Sequence, residues 1–373
     1  MSTPFTFYEF FAGGGMARAG LGGGWTGLFA NDFDPVKAQT YRANWGEDHL
    51  HVGDVWAISP DGLPGRADLA WASSPCQDLS LAGKRAGLDG SRSSAFWGFW
   101  RLMQALGAEG RAPRVIVVEN VTGLLSSNGG ADFTALCQAL ADEGYRFGAI
   151  ELDAAAFLPQ SRPRMFMIAT RADAPVGQPG AGLHGLRVRD AFARLPGALQ
   201  ARWIWWGAPA PPARNADLAS VLEPDDAVIW HDAARTAALT ALVSPLHLTR
   251  LRQMQARPRT VGAVYRRTRV EEGVKVQRAE VRFDGLAGCL RTPGGGSSRQ
   301  FVMVLERGAV RTRPLTAREC ARLMGLPDDY VLPSGTTRAL HVLGDGVAAP
   351  VVRWLAAHIL EPLLTRTPAM AAE

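Results

Sequence analysis

The chain of 373 residues is 47% hydrophobic and 20% charged, with a formal net charge of +5. This is the balance of an ordinary globular protein, and the length is enough for one large domain or two. No apolar run approaches the roughly 20 residues of a membrane span. The first residues, MSTPFTFYEFF, lack the basic region of a secretory signal. We therefore expect a cytoplasmic protein that does not bind membranes.

Short β-branched or aromatic runs between residues 5 and 170 alternate with helix-like segments. The predicted strands are FTFYEFF (5–11), TGLFA (26–30), DLAWA (68–72), VIVVE (115–119), FGAIEL (147–152) and MFMIAT (165–170). This alternation is typical of a doubly wound, mostly parallel α/β sheet. Because such sheets bind ligands at the carboxyl ends of their strands, the residues that follow each strand are candidates for a binding site.

The composition changes after residue 171, where Pro, Gly and Ala become frequent. Few elements are predicted between residues 186 and 300, so we expect a separate, irregular domain there. Regular structure resumes at 316 with the helix TARECARLMGL and ends in an amphipathic helix, VVRWLAAHILEPLL. Residues 250 to 300 carry eleven Arg and one Lys against three Glu and one Asp, a local excess of +8. That excess indicates a phosphate-bearing partner about as strongly as it indicates a solvated face.

The glycine-rich segment FAGGGMARAGLGGG follows the first strand. Such a turn lets the backbone approach a nucleotide-like ligand closely. Asp32 follows the second strand, where an acidic residue would bind ribose hydroxyls, and GDV (53–55) follows a further, short strand at HLH (49–51), before DLAWA. Phe33 and Val55 could sandwich an adenine. The pattern suggests an adenosine ligand, but its spacing does not decide between NAD and S-adenosylmethionine.

A cysteine stands in an unusual setting after the fourth strand, in SPCQDLS. A thiolate is a strong nucleophile when its pKa is lowered, and Cys76 is expected at the same edge of the sheet as the glycine turn. The segment VIVVENVTG brings Glu119 to that edge, and FLPQSRPRMF brings Arg162 and Arg164. Each could be a strand cap or a surface charge. Together, a thiol, a carboxyl and an arginine suit attack on an electron-poor ring.

The other cysteines and the histidines predict little chemistry. The four cysteines form no CxxC pair and the seven histidines form no HExxH, so neither a disulfide framework nor a metal site is expected. Cys137 and Cys320 are predicted in the core, and Cys289 in a buried strand. The tryptophans of RWIWW (202–206) are expected to pack, with insertion into DNA as the alternative.

Six ordered segments resemble the DNA (cytosine-5) methyltransferases of bacterial and phage type along nearly the whole chain. The segments are FAGGG, SPCQDLS, ENV, QSRPR, RPLTARECARLMGLPDDY and LGDGVAAPVV. The resemblance implies a Rossmann-like S-adenosylmethionine methyltransferase sheet with a smaller target-recognition domain. That domain would occupy the stretch between QSRPR and RPLTAREC, which holds the basic block.

The resemblance also implies a mechanism, in which a cytosine flipped out of duplex DNA is methylated at C5. Cys76 would add to C6 of the base while Glu119 contacts N3. Arg164 would hold the O2 atom and Arg162 would support the pocket. Asn120 would position the loop that carries Cys76.

The cofactor implied by the resemblance is S-adenosylmethionine, with no metal. The residues expected to bind it are Phe11, Gly13, Gly15, Asp32, Phe33, Asp54, Val55, Pro75 and Asp345. The chain departs from the family pattern at Met16, where a glycine is usual, and at Asp345–Gly346, where Asn-Ser is usual. A third departure is Ala82, in the segment 81–94 that would close over DNA.

The predicted domains are a catalytic domain of residues 1–185, completed by the C-terminal helix 338–373, and a target-recognition domain with hinge of residues 186–337. Double-stranded DNA is the expected partner, the chain is expected to be monomeric, and a cognate restriction endonuclease is possible. Three alternatives stay open: a tRNA methyltransferase of the same family, a non-catalytic DNA-binding homologue, and a nicotinamide oxidoreductase. The last would leave SPCQ, ENV and QSRPR unexplained.

Overall fold

A computed structural model describes residues 4–75, 95–172, 174, 177–180, 182–292 and 299–365. It divides into two compact units. Unit 1 comprises Met1–Asp153, Pro163–Pro211 and Val351–Glu373, and unit 2 comprises Ala154–Arg162 and Pro212–Pro350. These bounds describe compactness alone. The predicted division at residues 185 and 338 concerns which part reads DNA and stays a prediction.

Unit 1 contains a seven-stranded sheet in the order β3-β2-β1-β4-β5-β7-β6. Strands β1 to β5 pair in parallel, whereas β7 runs antiparallel to both β5 and β6. This confirms the predicted doubly wound, mostly parallel sheet. The strands are β1 Phe5–Phe10, β2 Trp25–Asp32, β3 Leu50–Val52, β4 Leu69–Ala72, β5 Val115–Asn120, β6 Arg146–Asp153 and β7 Pro163–Thr170.

Helices cover the sheet. They are α1 Met16–Leu21, α2 Pro35–Trp45, α3 Ala95–Ala108, α4 Ala131–Asp142, α5 Leu186–Arg194 and α6 Gly197–Gln200. Short 3-10 helices are Val55–Ala57, Pro60–Gly62, Thr122–Gly130, Ala154–Ala156 (in unit 2) and Leu218–Val221 (in unit 2).

Every residue of β4 and β5 is buried, as expected for central strands covered on both faces. Because the apolar run of β5 gives way to Glu119 and Asn120, polar groups enter the core only at its carboxyl end.

The RWIWW segment packs against β6, as expected from the packing interpretation. Ile204 N–H donates to Phe147 O at 2.7 Å, and Trp206 Nε1 donates to Gly148 O at 2.9 Å. A Cβ atom on Gly148 would lie 1.9 Å from Ile204 O, so glycine is required for this approach. These tryptophans therefore belong to unit 1 and are unavailable as a wedge for DNA.

Unit 2 contains a four-stranded antiparallel sheet in the order β11-β10-β8-β9. The prediction of an irregular region was wrong here. Arg, Thr, Glu and Gln alternate with small apolar residues in these strands, so the hydrophobic signal is weak although the backbone is extended. The strands are β8 Arg259–Glu271, β9 Val274–Arg282, β10 Gln300–Glu306 and β11 Ala309–Pro314; the helices are α7 Ala233–Ala241, α8 Pro245–Gln255, α9 Ala317–Leu323 and α10 Thr336–Asp345.

The predicted helix near residue 316 is α9, and a capping box fixes its start. Thr316 Oγ1 accepts from Glu319 N–H, and the Glu319 carboxylate accepts from Thr316 N–H. The same carboxylate forms two hydrogen bonds with the buried Arg313 guanidinium, at 2.7 and 2.6 Å. This ion pair joins β11 to α9 within unit 2.

The C-terminal segment is helical: α11 Ala349–Leu355, a π-helical turn Ala356–Leu360 and α12 Glu361–Thr365. Trp25 Nε1 donates to Glu361 Oε1 at 3.0 Å, and Arg114 Nη1 donates to Leu364 O at 2.9 Å. The stretch Thr336–Thr365 is long and apolar enough to cross a membrane by length and composition, but 67% of its most apolar window is buried. That burial indicates a packing role.

Candidate active site

The strand order reverses between β1 and β4, and the segments that leave the carboxyl ends of these two strands form the candidate site. Sheets of this kind bind ligands at such a switch point. Ser73 N–H donates to Phe10 O at 3.3 Å, so the two exits are tied together. One leads into the glycine-rich turn and the other into Pro75, which is exposed.

An ion pair between Glu119 and Arg164 lies at the same edge. Arg164 Nε is 3.0 Å from Glu119 Oε1, and the two side chains are 16% and 7% exposed. Glu119 ends β5 and Arg164 begins β7. Because β7 is antiparallel to β5, its first residues lie beside the last residues of β5. The structure therefore brings these two predicted catalytic residues together.

Asn120 links β5 to the end of β4. Its Nδ2 donates to Ser74 O at 3.1 Å, and its Oδ1 accepts from Val121 N–H at 2.9 Å. Ser74 is buried and lies two residues before Cys76. The predicted nucleophile Cys76 lies outside the described residues, as do Ala82 and the rest of the segment 81–94.

The remaining cysteines have no place in this site. Cys137 and Cys320 are buried, as predicted. Cys289 is only partly buried and lies outside the strands, so the prediction of a buried strand was wrong. It lies between β9 and β10, where the N–H groups of its neighbours Gly288 and Leu290 donate to the side chains of Gln300 and Gln160.

The glycine-rich turn is held by a buried carboxylate. Asp32 Oδ2 accepts from Gly13 N–H at 2.8 Å, and Oδ1 accepts from Asp34 N–H at 2.9 Å. Burial raises the pKa of Asp32, and the positive charge of Lys37 and these N–H donors oppose that rise. Asp32 therefore holds the glycine-rich turn through its hydrogen bond with Gly13 N–H.

Two glycines of the turn, Gly13 and Gly15, have positive φ angles but differ in the space beside them. Gly13 has φ 56°, and a Cβ there would meet nothing within 4 Å, so the space beside it is open. Gly15 has φ 77°, and its Cβ would lie 2.3 Å from Trp45 Nε1, so packing excludes any other residue. Phe11 also adopts a positive φ, 57°, which is a strained conformation of the kind found at functional sites. Met16, a departure from the family pattern, is buried in the core.

The predicted adenine-binding residues differ in exposure. Phe33 is 71% exposed at the end of β2, which is unusual for a large aromatic ring, whereas Val55 is buried in the core. Asp54 accepts from Trp56 N–H at 3.0 Å and so caps the short helix Val55–Ala57. The Phe33 ring is therefore accessible to a ligand, whereas the Val55 side chain is enclosed by the core.

Arg162 and Asp345 belong to unit 2. Arg162 is buried and donates to three main-chain carbonyls: Leu290 O at 2.8 Å, Gly344 O at 2.7 Å and Gly346 O at 2.6 Å. Asp345 Oδ1 accepts from Thr292 Oγ1 at 2.5 Å. In these contacts Arg162 acts as a clamp on the end of α10. The structure places Arg162 in a main-chain cluster and Arg164 on Glu119.

Sequence reasoning missed Glu9, a buried acid in the middle of β1. Burial raises the pKa of Glu9 to about 8, against the opposing effects of the Arg18 charge and the N–H groups of Arg18 and Ala17. Its Oε2 has no hydrogen-bond partner among the described residues. The signal in the sequence was a single carboxylate inside the aromatic strand FTFYEFF. Since Ala17 and Arg18 lie in α1, this carboxyl ties β1 to the helix after the glycine turn.

Among the described residues, no group of three or more His, Cys, Asp and Glu side chains is arranged to hold a metal ion.

Comparison with known proteins gives one family for nearly the whole chain. The family described as C-5 cytosine-specific DNA methylase matches residues 5–361. The chain is 27% identical over 359 residues to the type II methyltransferase M.HhaI of Haemophilus parahaemolyticus, covering 96% of this chain and 94% of that protein. It is 25% identical over 374 residues to the type II methyltransferase M.MspI of Moraxella sp., covering 98% of this chain and 72% of that protein.

Solved structures show the same fold. Dnmt2 methyltransferase of S. pombe aligns with a TM-score of 0.59 at 17% identity, covering 96% of this chain and 99% of that one. The methyltransferase EhMeth of Entamoeba histolytica aligns with a TM-score of 0.61 at 15% identity, covering 97% and 99%.

Glu9→Gln should change how stability depends on pH. The folded pKa of about 8 exceeds the ordinary value of 4.5, so the stabilisation from the protonated carboxyl is fully present below pH 4.5 and is lost as pH rises through 8. Between those values the wild type should lose about 1.4 kcal/mol per pH unit relative to the variant. Urea denaturation at a series of pH values measures this difference. The exposed Glu47→Gln is the control, and parallel curves for wild type and Glu9→Gln would contradict the prediction.

Proposed function

This chain belongs to the C-5 cytosine-specific DNA methylase family, and we propose how its residues methylate cytosine in duplex DNA. The resemblance predicted from the six motifs is confirmed, and the chain is a DNA cytosine-5 methyltransferase. The observation that carries the residue assignment is the ion pair between Glu119 and Arg164, at the edge where Asn120 holds the segment leading to Cys76.

Cytosine C5 is too weak a nucleophile to accept a methyl group unaided, and the proposed chemistry activates it. The Cys76 thiolate forms a bond to C6, while Glu119 hydrogen-bonds or protonates N3 to take up the charge. The addition makes C5 enamine-like. S-adenosylmethionine, when bound, would supply an electrophilic sulfonium methyl group for that carbon, with S-adenosylhomocysteine as the thioether product. A base then removes the C5 proton, and the bond between C6 and the sulfur breaks to restore the ring.

Arg164 is suited to orient both Glu119 and the target cytosine. Its Nε faces Glu119 and one Nη1 hydrogen bonds Pro163 O at 2.9 Å. A guanidinium has five N–H donors, so Nη2 is available in the described contacts for a carbonyl such as cytosine O2. We assign Arg162 a supporting role, because it is buried and donates to the main-chain carbonyls of Leu290, Gly344 and Gly346 as well as to Cys289 Sγ.

The residues at the switch point fit S-adenosylmethionine. The open space beside Gly13 allows a ligand to approach the backbone, and the exposed Phe33 ring offers a stacking surface for adenine. Phe11, Gly15 and Pro75 would shape the turn around it. Asp32 would act through the turn that it anchors as well as through any contact with ribose. The fit of Asp54, Val55 and Asp345 is proposed from their positions in the family motifs.

The wider assignment follows the family. We propose that residues 1–185 with 338–373 catalyse transfer and that 186–337 read the target. The protein would act as a cytoplasmic monomer on one short DNA sequence, and a cognate restriction endonuclease would recognise the same sequence.

Cys76→Ala should abolish DNA methylation, because no other group in the proposed mechanism can add to C6. Bisulfite sequencing of DNA from a methylation-deficient bacterial host expressing each protein measures this. In strains expressing the wild type or the control Cys137→Ala, cytosines within one short recurring sequence should resist bisulfite conversion. In the Cys76→Ala strain, no cytosine should resist conversion. Protection in the Cys76→Ala strain would contradict the covalent mechanism. Soluble wild type that protects no cytosine would contradict the proposed function and favour an RNA substrate or a silent binding protein.

Glu119→Gln should lower the rate of methyl transfer by about 10²–10⁴-fold, the usual contribution of a positioned acid or base. Glutamine keeps the size of the side chain but cannot protonate N3. Single-turnover transfer of a labelled methyl group to DNA measures the rate, with Glu109→Gln as a control that removes an exposed ion pair with Arg111. A Glu119→Gln rate equal to that of the control would contradict the assigned role.

A further inference from the structure

Eight of the eleven arginines in the basic block of residues 250 to 300 fall into two classes. In the first class, five arginines of β8 and β9 form ion pairs with carboxylates of unit 2, three of them within the β8–β9 hairpin. Arg278 Nε donates to Glu271 Oε1 at 2.8 Å, and Arg267 and Arg269 both pair with Glu280. Arg282 at the end of β9 likewise pairs with Asp284, and Arg259 with Glu306. The positive charge of this class is therefore largely neutralised within unit 2.

The second class lies on and just after α8. Arg250, Arg252 and Arg257 are exposed. Their guanidinium groups make no ion pair or hydrogen bond with any side chain in the described part of the chain. The run from Pro245 to Pro258, PLHLTRLRQMQARP, contains no acidic residue. This segment thus carries positive charge that its own unit does not offset.

The packing of α8 fixes which of its faces is outward. Leu251 is buried in the same cluster as Val264 of β8, with Leu248 and Met254 packed at its margin. His247 Nδ1 lies 2.8 Å from Val281 O and so attaches the helix to β9. Successive residues of an α-helix are about 100° apart around its axis. Because Leu251 faces the core, the residues one and two positions before and after it face away from the core.

The outward face consists of Thr249, Arg250, Arg252 and Gln253, all of them exposed. Arg250 and Arg252 lie on opposite flanks of this face, with Thr249 and Gln253 between them. Arginine is the main partner of DNA phosphates, and Arg, Gln and Thr also read base edges. An α-helix has the width that the major groove of B-DNA admits.

We propose that this α8 face, together with Arg257, is the surface of unit 2 that docks on duplex DNA. The inference rests on the proposed function and deepens it by assigning the phosphate contacts to particular residues. The ion-paired arginines of β8 and β9 hold the hairpin together and contribute little to DNA affinity. The sequence alone does not separate the arginines of the basic block by their contribution to DNA binding. The structure assigns the phosphate contacts to those on and just after α8.

The test compares two double substitutions that remove the same charge from the full chain. The first, Arg250→Ala with Arg252→Ala, alters the α8 face, and the second, Arg269→Ala with Arg278→Ala, alters the ion-paired hairpin. Fluorescence anisotropy with a labelled mixed-sequence duplex gives the binding constant between about 50 and 200 mM salt. Each lost phosphate contact should lower the slope of log K against log salt by about 0.9, or about 1.8 for the α8 pair, with little change for the hairpin pair.

Arg250→Lys with Arg252→Lys keeps the charges and should keep the slope, and thermal melting verifies that every variant is folded. Equal slopes for the α8 variant and the wild type, or a larger loss in the hairpin variant, would overturn the inference. Methylation of host DNA by the wild type separates the two proposals. If the wild type methylates DNA while the α8 variant binds with an unchanged slope, the proposed function stands and the docking surface is wrong.

Discussion

The direction of one strand determines the chemistry that unit 1 can perform. Strand β7 lies between β5 and β6 and runs antiparallel to both, so the start of β7 meets the carboxyl end of β5. A parallel β7 would place Arg164 at the opposite edge of the sheet. With the observed direction, an arginine that is 45 residues from Glu119 in sequence forms an ion pair with it at 3.0 Å. The acid, its cationic partner and the exit toward Cys76 therefore share one edge.

Hydrogen bonds within the protein hold the same edge in place. Asn120 holds the end of β4 through Ser74, and Asp32 holds the glycine turn through Gly13. Packing against Trp45 excludes a side chain at Gly15. Groups fixed in this way lose little freedom when substrate arrives, which is how positioning contributes to catalysis. Glu9 adds a buried carboxyl that ties β1 to α1, and because its pKa is raised to about 8, that support weakens as pH rises from 4.5 to 8.

Six of the seven strands of unit 1 were predicted because they are apolar or aromatic runs, whereas β3 has only three residues, one of them a histidine. The expectation that Glu119 and Arg164 lie at one edge followed from the strand ends and the family motifs, but the ion pair between them was not predicted. The role of Arg162 could not be predicted, because it depends on Gly344 and Gly346, more than 180 residues away in the chain. The sheet of unit 2 was missed because its strands are stabilised by cross-strand ion pairs, which leave a weak hydrophobic period. The two classes of arginine in the basic block differ only in their partners, which composition does not show.

The most direct measurement is to trap the covalent intermediate on DNA whose cytosines carry fluorine at C5. A base cannot remove fluorine as it removes a proton, so the bond between Cys76 and C6 should persist after methyl transfer. Mass spectrometry of the tryptic peptide of residues 67–84 then identifies the modified residue. The covalent mechanism predicts a nucleotide adduct on Cys76 in the wild type and none in Cys76→Ala. An adduct that persists in Cys76→Ala, or methylation of ordinary DNA by a wild type that forms no adduct, would contradict it.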